Sequence, residues 1–161
     1  MSIDQIKIIT VIGSGVMGSQ IAMVCALGGY QVILHDLNKE SLEKAEQNLR
    51  KRMERQVQKG RLGSDEFERA FNNVTFTTSL NDALRETDFV IEAIVEKLDM
   101  KRELFAAMDQ LAPPHVIFTT NSSTIVSSKL ADATNRPEKV CNMHFSNPAY
   151  IAASLPKFLE K

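Results

Sequence analysis

The stretch Ile6–Asp36, which reads IKIITVIGSGVMGSQIAMVCALGGYQVILHD, decides the fold of this 161-residue chain. Its first part, Ile6–Ile12, is continuously apolar apart from Lys7 and Thr10 and rich in β-branched residues, as expected for a strand buried on both faces of a parallel sheet. Val16–Leu27 has the pattern of a helix and is followed by two glycines, which suit a helix C-terminus. Tyr30–His35 then forms a second apolar run. The sequence therefore predicts a strand–helix–strand unit.

Three glycines, Gly13, Gly15 and Gly18, stand between the first strand and its helix in the pattern G-x-G-x-x-G. The pattern alone is weak, because glycines often mark ordinary turns, but its place between a strand and a helix strengthens it. In this setting Gly13 makes the tight turn, Gly15 lets the backbone approach a pyrophosphate, and Gly18 lets helix and strand pack closely. The N–H groups at the helix start face the phosphates. We therefore predict a dinucleotide site.

An acidic residue, Asp36, follows the second strand, 18 residues beyond Gly18. This is close to the spacing of about 20 residues expected for the carboxylate that binds the adenosine ribose. Such a carboxylate accepts hydrogen bonds from the ribose hydroxyls and repels a 2′-phosphate. No arginine follows closely, and Lys39 is the nearest cation, so the sequence favours NAD over NADP. The alternative interpretation of Asp36 is a turn residue at the end of a strand.

The composition excludes several classes of protein. Apolar residues make up 43% and charged residues 24% of the chain, which is typical of a globular protein rather than a disordered one. The formal net charge is −1, so neither a nucleic-acid partner nor a membrane surface is expected. The uncharged stretch 8–34 contains five glycines and two periodicities, unlike a membrane span. We expect a cytoplasmic location.

The two cysteines, Cys25 and Cys141, are too few for a disulfide framework. Each lies in an apolar run, which predicts a buried, reduced thiol. No second cysteine or histidine stands at ligand spacing near either one, so we expect no metal site.

Further along the chain, short apolar runs alternate with helical patterns. The later predicted strands are Val74–Thr77, Phe89–Val95, Val116–Thr120 and Val140–Phe145. The later predicted helices are Lys39–Lys59, Leu80–Arg85, Asp99–Leu111 and Ile125–Ala133, with a helical turn at Asp65–Phe71. Six strands with a glycine loop after the first predict an α/β fold, namely a doubly wound, Rossmann-type, mostly parallel sheet of order 3-2-1-4-5-6 with helices on both faces. Ligands of such sheets lie at the carboxyl ends of the strands.

Polar residues follow the last three predicted strands. Glu92 lies inside the fourth strand, where it is a buried acid or one end of an ion pair, and Glu96 falls just beyond it. The fifth strand leads into Asn121-Ser122-Ser123-Thr124, which is first of all a helix cap but has hydroxyls to spare for a ligand oxygen.

The sixth predicted strand leads into His144. An imidazole exchanges protons near neutral pH, so at this edge it can take a proton from a substrate alcohol while hydride leaves for a nicotinamide. A packed or surface histidine is the alternative interpretation. The other histidines are poorer candidates, because His35 lies beside the predicted ribose position and His115 follows two prolines on the opposite side of the sheet.

Taken together, these segments resemble the NAD-dependent L-3-hydroxyacyl-CoA dehydrogenases, which include the 3-hydroxybutyryl-CoA dehydrogenases. The resemblance lies in VIGSGVMGSQIA, HDLN, FVIEAIVEKLDMKRELF, TTNSSTI and MHFSNPA, and it covers about residues 6–148. It implies a reaction of the β-oxidation type, in which the alcohol of a 3-hydroxyacyl-CoA is oxidised to a ketone, or the reverse, with NAD as hydride carrier. A sugar-acid dehydrogenase with a similar glycine loop is less consistent with the H-F-x-N-P and N-S-S segments.

The resemblance also implies roles for individual residues. His144 is expected to be the general base or acid, and Ser123 to hold the substrate oxygen at C3. Glu96 is expected near the nicotinamide end of NAD, and Lys101 to help hold the cofactor. Two further matches, Asn121 and Asn147, are expected to support the site. The helix after the ribose acid resembles the region that meets the CoA tail.

Two departures from the family affect the expected organisation. We expect an NAD-binding domain at residues 1–148 and an atypical tail at 149–161, without the helical domain that gives full-length members their dimer interface. The glutamate that pairs with the family's histidine is replaced by Pro156, and the nearest candidate is Glu160.

The alternative to an active enzyme is thus a truncated NAD-binding module, and we expect this chain alone to reduce acetoacetyl-CoA very slowly or not at all. An acyl-CoA substrate and a homo-oligomer remain the expected partners.

Overall fold

The computed structural model describes residues 3–147 and residue 149, within which six strands form one parallel sheet. The strands are β1 Ile8–Ile12, β2 Gln31–His35, β3 Val74–Thr77, β4 Phe89–Glu92, β5 Ile117–Thr120 and β6 Val140–Asn142. The helices are α1 Val16–Leu27, α2 Lys39–Gln58, α3 Ser64–Asn72, α4 Leu80–Leu84, α5 Leu98–Leu111 and α6 Ser128–Ala131, and short 3-10 turns lie at Ile3–Gln5 and Pro137–Lys139. Pro156 and Glu160 lie outside the described residues.

The sheet order is β3-β2-β1-β4-β5-β6, which confirms the predicted doubly wound topology. Every described strand pair is parallel. In the register of the sheet, Ile12 lies opposite both His35 and Glu92, and Glu92 lies opposite Thr120. The carboxyl ends of four neighbouring strands are therefore level, and the loops that follow them meet along one edge.

Two apolar clusters cover the two faces of this sheet. The first joins α1, α2 and α3 to β1 and β2, and the second joins α4, α5 and α6 to β4 and β5. In α2, whose other positions are mostly polar, the apolar residues at helical spacing are buried: Leu42, Ala45, Leu49 and Met53. Burial of a Leu or Met side chain contributes roughly 1.5–3 kcal/mol, so this stripe fixes an otherwise solvated helix on the sheet.

The glycine loop is held by two backbone contacts that only glycine permits. Gly13 has φ +105°, and a Cβ placed on it would lie 2.6 Å from the carbonyl oxygen of Ala93. A Cβ on Gly18 would lie 1.8 Å from the carbonyl oxygen of Gly13. These positions let α1 start directly against β1 and the turn after β4, as predicted for the tight turn and the close packing.

Several elements are shorter than predicted, because side chains take up backbone N–H groups at their ends. β4 ends at Glu92 rather than Val95, since the Glu92 carboxylate accepts the Ile94 N–H at 2.7 Å. β1 starts at Ile8, since the Asp88 carboxylate accepts the N–H groups of Lys7 and Ile8.

The carboxyl end of the chain differs more from prediction. The predicted helix Ile125–Ala133 is reduced to α6, because the Ser122 hydroxyl accepts the Ile125 N–H and Asn142 accepts the Ser127 N–H. The serine cluster thus caps a loop turn and not a helix. β6 ends at Asn142, so His144 lies in the following loop and not on a strand.

The prediction that both thiols are buried is wrong for Cys141, which is exposed on the edge strand β6. Cys25 is buried in α1, and burial raises the pKa of its thiol to about 12. Both cysteines are free.

Candidate functional site

Two cavities meet at the carboxyl edge of the sheet. The larger cavity, of about 1310 Å³, is lined by the glycine loop, Asp36 and the exposed side of α2. The smaller cavity, of about 740 Å³, lies beside it over β4 and β5. Gly15, Val16 and residues 93–95 line both cavities, so one ligand can extend from one cavity into the other.

The start of α1 forms the floor between the two cavities. Gly15 is the residue before the first helical turn, and no side chain caps that turn. The first N–H groups of a helix have no partner within the helix, so they are available to an anion. A Cβ on Gly15 would meet no protein atom within 4 Å, which shows that the space in front of it is left open by the protein. This open cradle fits the pyrophosphate of a dinucleotide.

Asp36 is held in place from two sides before any ligand binds. Its Oδ2 accepts hydrogen bonds from the N–H and the hydroxyl of Ser14 at 2.9 and 2.8 Å, and its Oδ1 accepts the Asn38 N–H at 3.0 Å. Partial burial alone would raise the pKa of Asp36, but the bonds from Asn38 and Ser14 outweigh it and hold the pKa below its usual value. A fixed, ionised carboxylate therefore lines the larger cavity beside the cradle.

We expect Asp36→Ala to weaken NAD binding by about 30- to 150-fold, because the ribose hydroxyls lose a charged acceptor worth about 2–3 kcal/mol. Isothermal titration calorimetry measures the change, with Asp65→Ala on the exposed start of α3 as the matched control. An affinity for NAD equal to that of the unmodified chain would refute the assignment of Asp36.

Glu96 and Lys101 lie together in the smaller cavity. The Lys101 ammonium is 3.4 Å from Oε2 of Glu96, whose Oε1 accepts hydrogen bonds from the hydroxyls of Ser122 and Thr124. Partial burial would raise the pKa of Glu96, but these two hydroxyls and the Lys101 charge lower it to about 2. Glu96 is thus ionised at neutral pH, with its side chain 42% exposed.

His144 and Ser123 face each other across the same cavity. Ser123 Oγ is 3.4 Å from Nε2 of His144, and Nδ1 of His144 is 2.9 Å from the backbone carbonyl oxygen of Asn121. Since a carbonyl only accepts, Nδ1 carries the ring hydrogen in this arrangement, and Nε2 of the neutral ring is free to accept a proton. In the part of the chain that the structure describes, the backbone carbonyl of Asn121 therefore orients the imidazole.

The two asparagines expected to support the site are close to it. Asn121 accepts the Phe145 N–H at 2.7 Å through Oδ1, which holds the loop that carries His144. Asn147 accepts a hydrogen bond at 3.4 Å from Gln20 of α1. The structure thus brings all the predicted site residues to one edge, with Gly18 in the packing of the loop rather than in a cavity wall.

Sequence reasoning missed three contributors to this site. Ser14 holds Asp36, and its only signal was its place between two glycines of the motif. Ser122, rather than Ser123, binds Glu96, a choice that the run of hydroxyl residues does not reveal. Gln20 is a polar residue in a mostly apolar helix, and it is buried and donates a hydrogen bond to Asn147.

The doubly wound sheet, the glycine cradle and the Asp36 carboxylate beside it together define a dinucleotide-binding domain of the Rossmann class. The model of the family "3-hydroxyacyl-CoA dehydrogenase, NAD binding domain" matches residues 8–155. This chain belongs to that family, and its cofactor is NAD.

Individual relatives agree with the family. A Bacillus subtilis protein named a probable 3-hydroxybutyryl-CoA dehydrogenase is 38% identical over 147 residues, which are 91% of this chain and 51% of that protein. The Escherichia coli 3-hydroxyadipyl-CoA dehydrogenase is 38% identical over 146 residues, 91% of this chain and 30% of its own length. A crystal structure of 3-hydroxybutyryl-CoA dehydrogenase from Escherichia coli K12 superposes with a TM-score of 0.88 at 37% identity, over 91% of this chain and 31% of that one. The chain thus spans about half, or less, of the length of these relatives.

Proposed function

We propose that the natural polypeptide carrying this sequence interconverts 3-hydroxyacyl-CoA and 3-ketoacyl-CoA with NAD. The observation that carries the proposal is the pair of His144 and Ser123, 3.4 Å apart in a cavity that joins the dinucleotide cradle. The names of the relatives, which are 3-hydroxybutyryl-CoA and 3-hydroxyadipyl-CoA dehydrogenases, support the same substrate class.

The proposed chemistry divides between the protein and its cofactor. The chemistry that NAD would supply when bound is acceptance of the hydride from C3 of the alcohol, or its return in the reverse reaction. Nε2 of His144 takes the proton of the same hydroxyl group, and the Asn121 carbonyl stabilises the imidazolium through Nδ1. Ser123 holds the substrate oxygen beside Nε2. Glu96 and Lys101 would contact the nicotinamide half of the cofactor, and the glycine cradle and Asp36 the adenosine half.

The charge of α2 supports a CoA ester as the substrate. Four cations of this helix and Lys59 directly after it line the larger cavity, the four being Lys44, Lys51, Arg52 and Arg55. A chain of net charge −1 has no general excess of positive charge, so this concentration is local. Clustered cations along a cleft attract and orient phosphorylated ligands, and both NAD and CoA carry phosphates.

The test of this proposal is NADH oxidation driven by acetoacetyl-CoA. We expect the natural polypeptide to consume NADH, followed at 340 nm, with acetoacetyl-CoA and not with free acetoacetate, because the CoA phosphates supply much of the binding energy. If the protein binds NAD in calorimetry but oxidises NADH with neither compound, the proposed dehydrogenase activity is contradicted. The alternative function, an NAD-binding module without turnover, would then hold.

We place the reaction in β-oxidation-type metabolism and expect the natural protein to be a dimer in the cytoplasm. Relatives include mitochondrial proteins and a peroxisomal fatty acid β-oxidation multifunctional protein. Every helix in the described part of the chain is too short or too polar to cross a bilayer.

A further inference from the structure

A buried ion pair lies at the wall of the smaller cavity, which Lys101 lines and Glu92 does not. The Lys101 ammonium is 2.5 Å from Oε1 of Glu92, and the two side chains are 1% and 0% exposed. A buried charge is costly without a partner, so each of these groups depends on the other. Glu92 is the last residue of β4 and Lys101 lies in the second turn of α5, so the pair ties this helix to the carboxyl edge of the sheet.

Glu92 uses both of its carboxylate oxygens. Oε1 also accepts the N–H of Ile94, and Oε2 accepts the Thr120 hydroxyl, each at 2.7 Å. The Thr120 oxygen in turn accepts the Ser122 N–H at 3.2 Å. One carboxylate thus fixes the turn after β4, the end of β5 and the cation of α5, which are the three segments that surround Glu96.

The position of Glu96 depends on how the Lys101 charge is shared. Lys101 lies between the two carboxylates, closer to Glu92 at 2.5 Å than to Glu96 at 3.4 Å. Because Glu92 takes the shorter contact, Glu96 keeps its hydroxyl partners Ser122 and Thr124 and stays at the cavity wall. Without the Glu92 charge, the buried ammonium would draw Glu96 towards itself and away from the cavity.

We propose that Glu92 is a positioning residue for NAD: by neutralising Lys101 from behind, it keeps the Glu96 carboxylate in the smaller cavity for the nicotinamide half of the cofactor. The inference rests on the proposed contact of Glu96 with that half. Glu92 itself does not reach the cavity.

The test compares two ligands that differ only at the nicotinamide end, NAD and ADP-ribose, by calorimetry. We expect Glu92→Gln to weaken NAD binding about tenfold, as for loss of one charge-assisted contact, and to change ADP-ribose binding by less than about twofold. Glu96→Gln should show the same selective loss. Glu86→Gln, on the exposed turn after α4, removes a carboxylate elsewhere and should change neither affinity.

A purely structural role for Glu92 would lower both affinities equally, and that result would overturn the inference. If Glu92→Gln does not fold, Glu92→Asp keeps a buried negative charge opposite Lys101 and is expected to fold. It should show the same selective loss in smaller degree, because the shorter side chain lies further from the Lys101 ammonium and neutralises it less. If the ratio of NAD affinity to ADP-ribose affinity is unchanged in the tested Glu92 variant but falls in Glu96→Gln, the role of Glu92 alone is overturned. An unchanged ratio in Glu96→Gln would overturn both that role and the proposed contact of Glu96.

Discussion

Gly18→Ala is expected to lower the free energy of unfolding by about 3 kcal/mol or more, and the midpoint of thermal unfolding by roughly 6–12 °C. The added Cβ would lie 1.8 Å from the carbonyl oxygen of Gly13 and 2.9 Å from its carbonyl carbon. These atoms belong to a turn that is itself pressed against the backbone of Ala93, so they have little room to move. Differential scanning calorimetry measures the loss.

Gly15→Ala is the matched control, because the same methyl group is added three residues earlier in the same motif. Gly15 has φ −61°, which alanine adopts without strain, and its Cβ would meet no protein atom within 4 Å. We expect the stability to stay within about 0.5 kcal/mol of the unmodified chain or to rise slightly. NAD affinity should nevertheless fall at least about tenfold, because the methyl group fills the space that the pyrophosphate needs. Equal stability of the two variants would contradict the assignment of Gly18 to the packing of the loop and of Gly15 to the space for the pyrophosphate.

His144→Gln is expected to lower kcat for acetoacetyl-CoA reduction by about 10²- to 10⁴-fold, the usual effect of losing a general acid or base. Glutamine keeps a polar group of similar reach but cannot carry the proton that an imidazole exchanges between Nε2 and the substrate oxygen. NAD affinity, measured by calorimetry, should stay nearly unchanged, because we expect the glycine cradle and Asp36, which line the larger cavity, to hold the adenosine half. Steady-state kinetics on the natural polypeptide gives the comparison.

His115→Gln is the control for this variant. His115 lies at the opposite edge of the sheet, where its Nε2 is 3.1 Å from the Asp88 carboxylate that binds the start of β1. We expect no change in kcat. A His144 variant with near-normal kcat would remove this residue from the reaction, and a parallel loss of NAD affinity would indicate damage to the fold instead.

The order of the sheet and the dinucleotide loop were predictable from the sequence because both depend on local pattern. Continuous β-branched runs give buried parallel strands, and the glycine spacing gives the tight turn and the close contact of α1. The position of Asp36 was also predictable, because it directly follows β2 and the carboxyl ends of adjacent parallel strands meet at one edge of the sheet. Helix α1 has the predicted bounds, and Asn38 caps α2 by accepting the Ser41 N–H.

The ends of β4 and β6 were not predictable, because they depend on hydrogen bonds made across the fold. Glu92 ends β4 by accepting a nearby N–H, but its carboxylate is held there by Lys101 and Thr120, 9 and 28 residues away. His144 was expected on a strand and lies in a loop, where a carbonyl 23 residues earlier orients it. The exposed position of Cys141 follows from β6 being the edge strand.

The sequence by itself determined the class of fold and the cofactor cradle, since periodicity and glycine spacing act over short stretches of backbone, and its resemblance to the dehydrogenase family indicated which residues gather at the edge of the sheet. Only the tertiary structure decided which hydroxyls bind Glu96, which carboxylate takes the shorter contact with Lys101 and which ring nitrogen of His144 is free to accept a proton. Those outcomes depend on which of several polar groups the sheet register brings within about 3 Å of each other. Because the strength of a hydrogen bond falls steeply with distance and angle, the linear sequence does not show which groups become partners.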